Sequence, residues 1–341
     1  MRIGILTGGG DAPGLNAVIR AAVLKGEKDA DTEFVGFIDG WEGVFNENFT
    51  PLFRNDVRGI GRLGGTILGT SRTNPIKDFG GPDRIATVFE RNRIDAIMVI
   101  GGEGTLAGGH ELAKLGFPVI GVPKTIDNDI SGTDYTFGFD TAVQIATDAM
   151  DRLRTTGESH RRCMVAEVMG RHAGWIALHS GIAAGAHAIL IPERKTSIEQ
   201  IGEWVLSATN RGRSALVVVS EGFGLDTMND PFSIKGLDSV GRPRLGGIGE
   251  MLAPLIEAHT GIETRGTTLG HIQRGGTPTA NDRVLATRYG MAALDLAKQG
   301  KWDHMVALRG TEMCVVPLEE AVGQLKSVPD HRYDEAAVLF G

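Results

Sequence analysis

Short apolar runs recur along the chain, each closed by glycine or a polar turn. Ile3–Leu6, Phe34–Ile38, Ala96–Ile100, Val119–Val122, Met164–Val168, Ala188–Ile191, Leu216–Val219 and Met305–Leu308 all have this form. Near-continuous apolarity predicts parallel strands covered on both faces, since a strand with one wet face would alternate. Longer amphipathic segments lie between the runs, among them Gly14–Lys25, Thr141–Leu153 and Asn281–Lys298, and read as helices. The alternation predicts an α/β protein built on doubly wound sheets. Ligands of such sheets gather beyond the carboxyl ends of the strands. A site is therefore expected on the loops Gly8–Gly14, Gly101–Thr105, Pro123–Asp129, Met169–Ala173 and Glu221–Gly222.

A chain of 341 residues suits two domains, and a first boundary is expected near residue 138, just before the Thr141 helix. Hydrophobic residues at 41% and charged residues at 23% place the chain among globular proteins. The 49 glycines cluster at strand ends, where they allow tight turns and close approach of backbone to ligand. A formal net charge of −7 argues against a duplex nucleic acid as partner, while leaving room for a small anion held in a local basic cleft. Cys163 and Cys314 form no disulfide framework, and no signal peptide is recognisable, so a cytoplasmic protein is expected. No apolar stretch reaches the roughly 18–20 residues that span a bilayer.

Three segments carry candidate chemistry. Leu6–Gly14 (LTGGGDAPG) is a strand running through glycines into a helix, where exposed N–H groups and the helix dipole favour an anion. It lacks the Gly-Lys-Ser/Thr of a P-loop and the spacing of a dinucleotide fingerprint, and by itself it also fits a tight turn. Ile100–Thr105 (IGGEGT) adds Glu103, a hard oxygen ligand suited to Mg²⁺, or simply a first-turn acid favoured by the helix dipole. Pro123–Asp129 (PKTIDND) places two carboxylates two residues apart, one able to accept a proton while the other assists metal or acceptor. Arg72, Arg162, Arg171, Arg265, His271 and Arg274 form a cationic set; arginine binds phosphate through a planar fork of donors, although any one of them also fits a solvated surface.

Taken together, TGGGDAPGLN at 7–16, GGEGT at 101–105, PKTIDND at 123–129, EVMGR at 167–171 and ETRGTTLGHIQRGG at 263–276 resemble the phosphofructokinase family, in its order and over nearly the whole chain. The resemblance implies two doubly wound Rossmann-like domains with the active site in the cleft between them. Because the family's chain returns to its first domain, it also implies residues 1–138 plus 273–323 for the nucleotide and 139–272 plus 324–341 for the sugar phosphate. The implied reaction is phosphorylation of fructose 6-phosphate in glycolysis, with Mg²⁺ and with ATP as co-substrate. Asp127 would be the general base, with Thr125 and Asp129 beside it and Arg171 among the catalytic groups. Gly10, Arg72, Thr73, Gly102, Glu103, Gly104 and Thr105 would meet the donor, Glu103 as the metal ligand. Arg162, Met169, Gly170, Arg171, Glu221, Arg265, His271 and Arg274 would bind the sugar phosphate. Arg162 and Arg265 would reach a neighbouring subunit, giving a homodimer or homotetramer with shared active sites.

Donor choice turns on Gly104 and Lys124. Pyrophosphate-using members of the family carry a carboxylate at the first position and lysine at the second, whereas ATP-using bacterial members commonly have glycine at both. This chain is mixed, and the greater weight falls on Gly104, because a carboxylate there would crowd and repel the α-phosphate of a nucleotide. Pyrophosphate is the alternative donor. An NAD-dependent oxidoreductase using Gly8–Gly14 with Asp39 is a remote alternative that leaves Asp127 and Asp129 without a role. A sugar-phosphate sensor would need the cations and not the base.

Overall fold

The apolar runs form strands in a computed structural model that describes residues 1–29, 31–228, 233–237 and 243–341. The first part of the chain holds β1 (Arg2–Gly8), α1 (Leu15–Gly26), β2 (Glu33–Phe37), α2 (Trp41–Phe45), β3 (Phe49–Pro51), α3 (Gly81–Asn92), β4 (Ala96–Gly101), α4 (Glu103–Lys114), β5 (Val119–Thr125) and β6 (Phe137–Gly138). The middle holds α5 (Phe139–His160), β7 (Cys163–Val168), α6 (Trp175–Ala184), β8 (Ala188–Leu190), α7 (Ile198–Asn210), β9 (Leu216–Ser220), β10 (Ser233–Leu237), β11 (Pro243–Leu245), α8 (Ile248–Thr260) and β12 (Thr264–Thr268). The last part holds α9 (Ala280–Lys298), β13 (His304–Arg309), β14 (Glu312–Pro317), α10 (Leu318–Val322) and α11 (Asp330–Ala337).

The chain divides into two compact units. Unit 1 comprises residues 1–126, 130–141 and 274–325; unit 2 comprises 127–129, 142–273 and 326–341. The divisions expected at 138, 272 and 323 thus fall at 141, 273 and 325, and Asp127–Asp129 group with unit 2, a separation the sequence reading did not make. Two of the three, Asn128 and Asp129, hydrogen-bond to Lys326 of the same unit, as described below.

Unit 1 carries a sheet in the order β14-β13-β5-β4-β1-β2-β3, with the short β6 paired on β5. The inner pairings are parallel, while β3 and β14 close the edges antiparallel. Successive residues serve opposite faces. Met98 and Ile100 pack with Val18, Ala293 and Leu294 of α1 and α9, and Ile97 and Val99 pack with Val88, Leu106 and Leu112 of α3 and α4. Each fully buried valine, leucine, isoleucine or methionine side chain among these contributes about 1.5–3 kcal/mol of transfer free energy. Unit 2 carries the parallel sheet β12-β7-β9-β8 and the antiparallel pair β10-β11. Val165, Val217 and Val219 form its core with Ile201 and Val205 of α7 and Leu252 and Ile256 of α8.

In unit 1 the starts of α5 and α9 are tied by side chains. Asp282, 1% exposed, accepts through Oδ2 from the Thr141 N–H at 2.8 Å and the Thr141 hydroxyl at 2.5 Å. The Asp282 N–H donates to Oγ1 of Thr279, the residue capping α9, at 3.2 Å. The Thr279 hydroxyl in turn donates to Asp140 at 2.5 Å. Asp282 Oδ1 is buried with no hydrogen-bond partner among the described residues. Burial pushes the Asp282 carboxyl up from 3.8 to about 6, and the charge of Asp140 acts in the same direction. The folded pKa lies above the unfolded one, so the folded state keeps a proton that the unfolded chain releases between about pH 4 and 6. Stability from this group is fully present below that window and is lost as pH rises through about 6. Relative to Asp282→Asn, the wild type is expected to gain ~2 kcal/mol between pH 8 and pH 4.5, from a pKa difference of about two units. Urea midpoints at both pH values measure it; an equal difference at both would show that burial leaves this titration unmoved.

Candidate active site

Three strand ends in unit 1 stand side by side. The register aligns Gly8 of β1 with Gly101 of β4, and Gly101 with Pro123 of β5. Strand order reverses direction at β1 and β4, and at such a switch point the loops diverge and leave room for a ligand. Thr105, on the first turn of α4, explains two of the glycines: a Cβ at Gly8 would lie 2.6 Å from its Cγ2, and one at Gly101 would clash with its Cβ. Gly14 and Gly102 precede the amino ends of α1 and α4, so free N–H groups of both helices lie at the carboxyl edge of the sheet.

Gly9 and Gly10 are held by their neighbours. The Gly9 N–H donates to Ser71 O at 3.0 Å, and the Thr70 hydroxyl donates to Gly9 O at 2.6 Å. These contacts fix the segment that carries Arg72 and Thr73. Sequence reasoning missed Thr70 and Ser71, because one acts through its carbonyl and the other through an ordinary hydroxyl. Lys124 is 2% exposed and donates its ammonium to the Gly10 carbonyl. It belongs to β5, which extends to Thr125, so Pro123, Lys124 and Thr125 are strand residues rather than loop. The Thr125 carbonyl accepts from the Thr136 hydroxyl at 2.7 Å. Arg274 donates to the Asp11 carbonyl at 3.2 Å, and its guanidinium fills the space a Cβ at Gly10 would need. Glu103 is half-buried at the first position of α4, whereas Gly104 faces open space, with nothing within 4 Å of a Cβ placed there.

No group of three or more metal-ligating side chains occurs among the described residues. A single accessible carboxylate beside glycine backbone fits Mg²⁺, which keeps several waters and takes its remaining ligands from substrate phosphates.

Unit 2 gathers a second set at the carboxyl ends of β7, β9 and β12. Gly170 has φ +129°, and a Cβ there would meet Ser220 Oγ at 2.5 Å and Ala173 O at 2.7 Å, so only glycine fits. Its carbonyl accepts from the Ser220 hydroxyl at 2.6 Å and the Gly222 N–H at 3.0 Å. These bonds lock Met169–Arg171 against Glu221–Gly222. The Met169 N–H donates to Gln273 at 3.3 Å, near His271, which is exposed. Glu167, 2% exposed, accepts from the N–H groups of Gly247 and Gly249 at the start of α8 and from the Thr268 hydroxyl, at 2.9–3.1 Å. It therefore braces the sheet end that carries these loops. Asp127 and Asp129, both half-buried, also belong to this unit.

Two members of the cationic set lie elsewhere in unit 2. Arg162 precedes β7, and Arg265 pairs with Met164 near the amino ends of β7 and β12. At about 3.3 Å per residue, Arg162 is roughly 20 Å along the strand from Met169. Both arginines meet Glu263: Arg162 Nε lies 2.8 Å from Oε2, and Arg265 pairs with Oε1. The hydrogen bond from Arg162 holds the Glu263 carboxyl below its usual range, with the charge of Arg162 and Arg265 assisting.

Glycine-lined strand ends, helix amino ends and fixed cations serve phosphorylated small molecules, and the fold is that of an α/β enzyme acting on them. The chain belongs to the phosphofructokinase family, whose profile matches residues 2–297. It is 54% identical over 341 residues to an Amycolatopsis methanolica protein named pyrophosphate–fructose 6-phosphate 1-phosphotransferase, with both chains covered in full. It is 51% identical to a Streptomyces coelicolor protein named ATP-dependent 6-phosphofructokinase 3, again over both chains in full. A crystal structure of Pichia pastoris phosphofructokinase superposes with a TM-score of 0.84 at 31% identity, covering 99% of this chain and 36% of the yeast chain. The chain thus spans about a third of the length of that yeast protein. Among the described residues no helix is long and apolar enough to cross a membrane.

Proposed function

We propose that this enzyme transfers the γ-phosphoryl group of ATP to the 1-hydroxyl of fructose 6-phosphate, in the cytoplasm and as a glycolytic step. The observation that carries the donor assignment is the open space at Gly104, on the first turn of a helix whose amino end meets the glycine loops. A nucleotide α-phosphate and ribose need that space. Gly10, Arg72, Thr73, Gly102 and Thr105 hold the phosphate chain, and Glu103 would hold the Mg²⁺ that comes with it. The metal, when bound, supplies charge neutralisation on the phosphate oxygens.

Asp127 accepts the proton of the 1-hydroxyl as that oxygen bonds to the γ-phosphorus and the bond to the ADP oxygen breaks. Thr125 and Asp129 hold the acceptor in line, and Arg72 and Arg171 offset charge on the transferring group. Such positioning and charge stabilisation supply most of the catalysis in phosphoryl transfer. Met169, Gly170 and Glu221 contact the sugar, and His271 and Arg274 bind its 6-phosphate. Arg162 and Arg265 stand at the opposite end of their strands from Met169 and His271, and this supports their serving a neighbouring subunit's 6-phosphate in a homodimer or homotetramer.

Pyrophosphate as donor is the second reading. It is favoured by Lys124, fixed on the Gly10 carbonyl, and by the name of the relative that is 54% identical. Assays with fructose 6-phosphate and Mg²⁺, offering ATP and pyrophosphate in turn, test the choice. The expected result is a higher kcat/KM for ATP; a higher value for pyrophosphate would overturn it.

A further inference from the structure

Asn128 lies between the two carboxylates of the Asp127–Asp129 segment, and its backbone is left-handed, at φ +52°. Few residues other than glycine adopt that conformation, asparagine being among the more tolerant. Asn128 is 2% exposed, so its side-chain amide needs a partner inside the protein. Lys326, 198 residues further along the chain and in the same unit, donates its ammonium to Asn128 Oδ1 at 3.1 Å. The Lys326 backbone N–H donates to the Asp129 carbonyl at 2.9 Å. One residue thus holds the segment at two consecutive positions, by side chain and by main chain.

Lys326 is itself fixed. Its carbonyl accepts from Trp175 Nε1 at 2.8 Å, and its ammonium lies 5.8 Å from the centroid of the same indole ring. Trp175 opens α6 in unit 2. An ammonium over an aromatic face, with a hydrogen bond to a buried amide oxygen, has little freedom to move. The path from α6 through Lys326 to Asn128 is a chain of short, directed contacts.

We propose that Lys326 is a positioning residue for phosphoryl transfer: its ammonium holds Asn128 in the left-handed conformation that sets where Asp127 and Asp129 stand. This rests on Asp127 being the base. The ammonium acts through Asn128 and needs no contact with either substrate. Its loss would remove one of the contacts that hold Asn128 at φ +52° and so loosen the placement of the flanking carboxylates. Displacing a reacting group by about 1 Å is enough to cost on the order of 10²-fold in rate.

The test compares Lys326→Met, Lys326→Arg, Asn128→Gly and the Lys326→Met/Asn128→Gly double variant, with Asp127→Ser alongside, in full-length protein. Methionine keeps most of the lysine stem and removes the ammonium; glycine keeps φ +52° accessible and removes the acceptor. Lys326→Met is expected to lower kcat about 10- to 100-fold while KM for donor and sugar phosphate stays within about twofold. Lys326→Arg should recover most of that loss, and the double variant should be no slower than the slower single. Full kcat in a folded Lys326→Met, losses that multiply in the double variant, or failure of both single variants to fold would each overturn the proposal. If Asp127→Ser is inactive while Lys326→Met is fully active, positioning alone fails. If Asp127→Ser is active, the base assignment fails first.

Discussion

Asp127→Ser is expected to fold, to bind both substrates and to lose about 10²–10⁴ in kcat, the range a positioned base supplies. Asp127 is half-buried two residues beyond the end of β5 and belongs to none of the apolar clusters, so shortening it opens no core cavity. Serine keeps a hydroxyl for local hydrogen bonding and removes the proton acceptor. The loss should therefore appear in kcat, with KM little changed, as for an interaction realised in the transition state. Steady-state kinetics with circular dichroism as the folding control make the measurement. A folded variant retaining more than half the activity would sink the assignment.

Gly104→Asp is expected to lower kcat/KM for ATP by about 10²-fold or more, because like charges brought together in a binding site cost several kcal/mol. Fold and chemistry can be separated at this position. A Cβ at 104 meets nothing within 4 Å, and residue 104 lies in the first turn of α4. An acid there interacts favourably with the helix dipole, so thermal stability should hold or rise slightly. A drop in ATP use with unchanged Tm would locate the effect in the donor site. Lys124 is already present, so the variant should also be tried with pyrophosphate. Unchanged kcat/KM for ATP would mean that the nucleotide does not pass Gly104.

Much of the fold was written in local pattern. The runs that became β1, β2, β4, β5, β7, β8, β9 and β13 are apolar because parallel strands with helices on both faces bury every residue. The strands the pattern did not reveal are mostly at edges. β12 (TRGTT) flanks one sheet, β3 and β14 close the other, and among the described residues β10 and β11 pair with each other as a two-stranded sheet. An edge strand can face solvent and need not form an apolar run. The extent of α5 was hidden for a related reason. Expected over Thr141–Leu153, it runs from Phe139 to His160, and its last two turns are largely exposed, so the amphipathic period fades there.

By itself the sequence determined the α/β class, the strand-end loops and the phosphofructokinase motifs. Each is a demand made on a few consecutive residues: glycine where Gly170 turns left-handed or where Thr105 packs on Gly8 and Gly101, and an acid or base at a strand end. Tertiary structure alone decided what depends on residues far apart in the chain. It brought Lys326 to Asn128 and Asp129, set Thr70 and Ser71 on Gly9, joined Asp282 to Thr141, and left Arg162 and Arg265 at the amino ends of strands whose carboxyl ends carry Met169 and His271. The physical reason is that a lysine, a serine or an arginine carries no local mark of its partner. Only the packing of distant elements brings the donor within 3 Å of its acceptor.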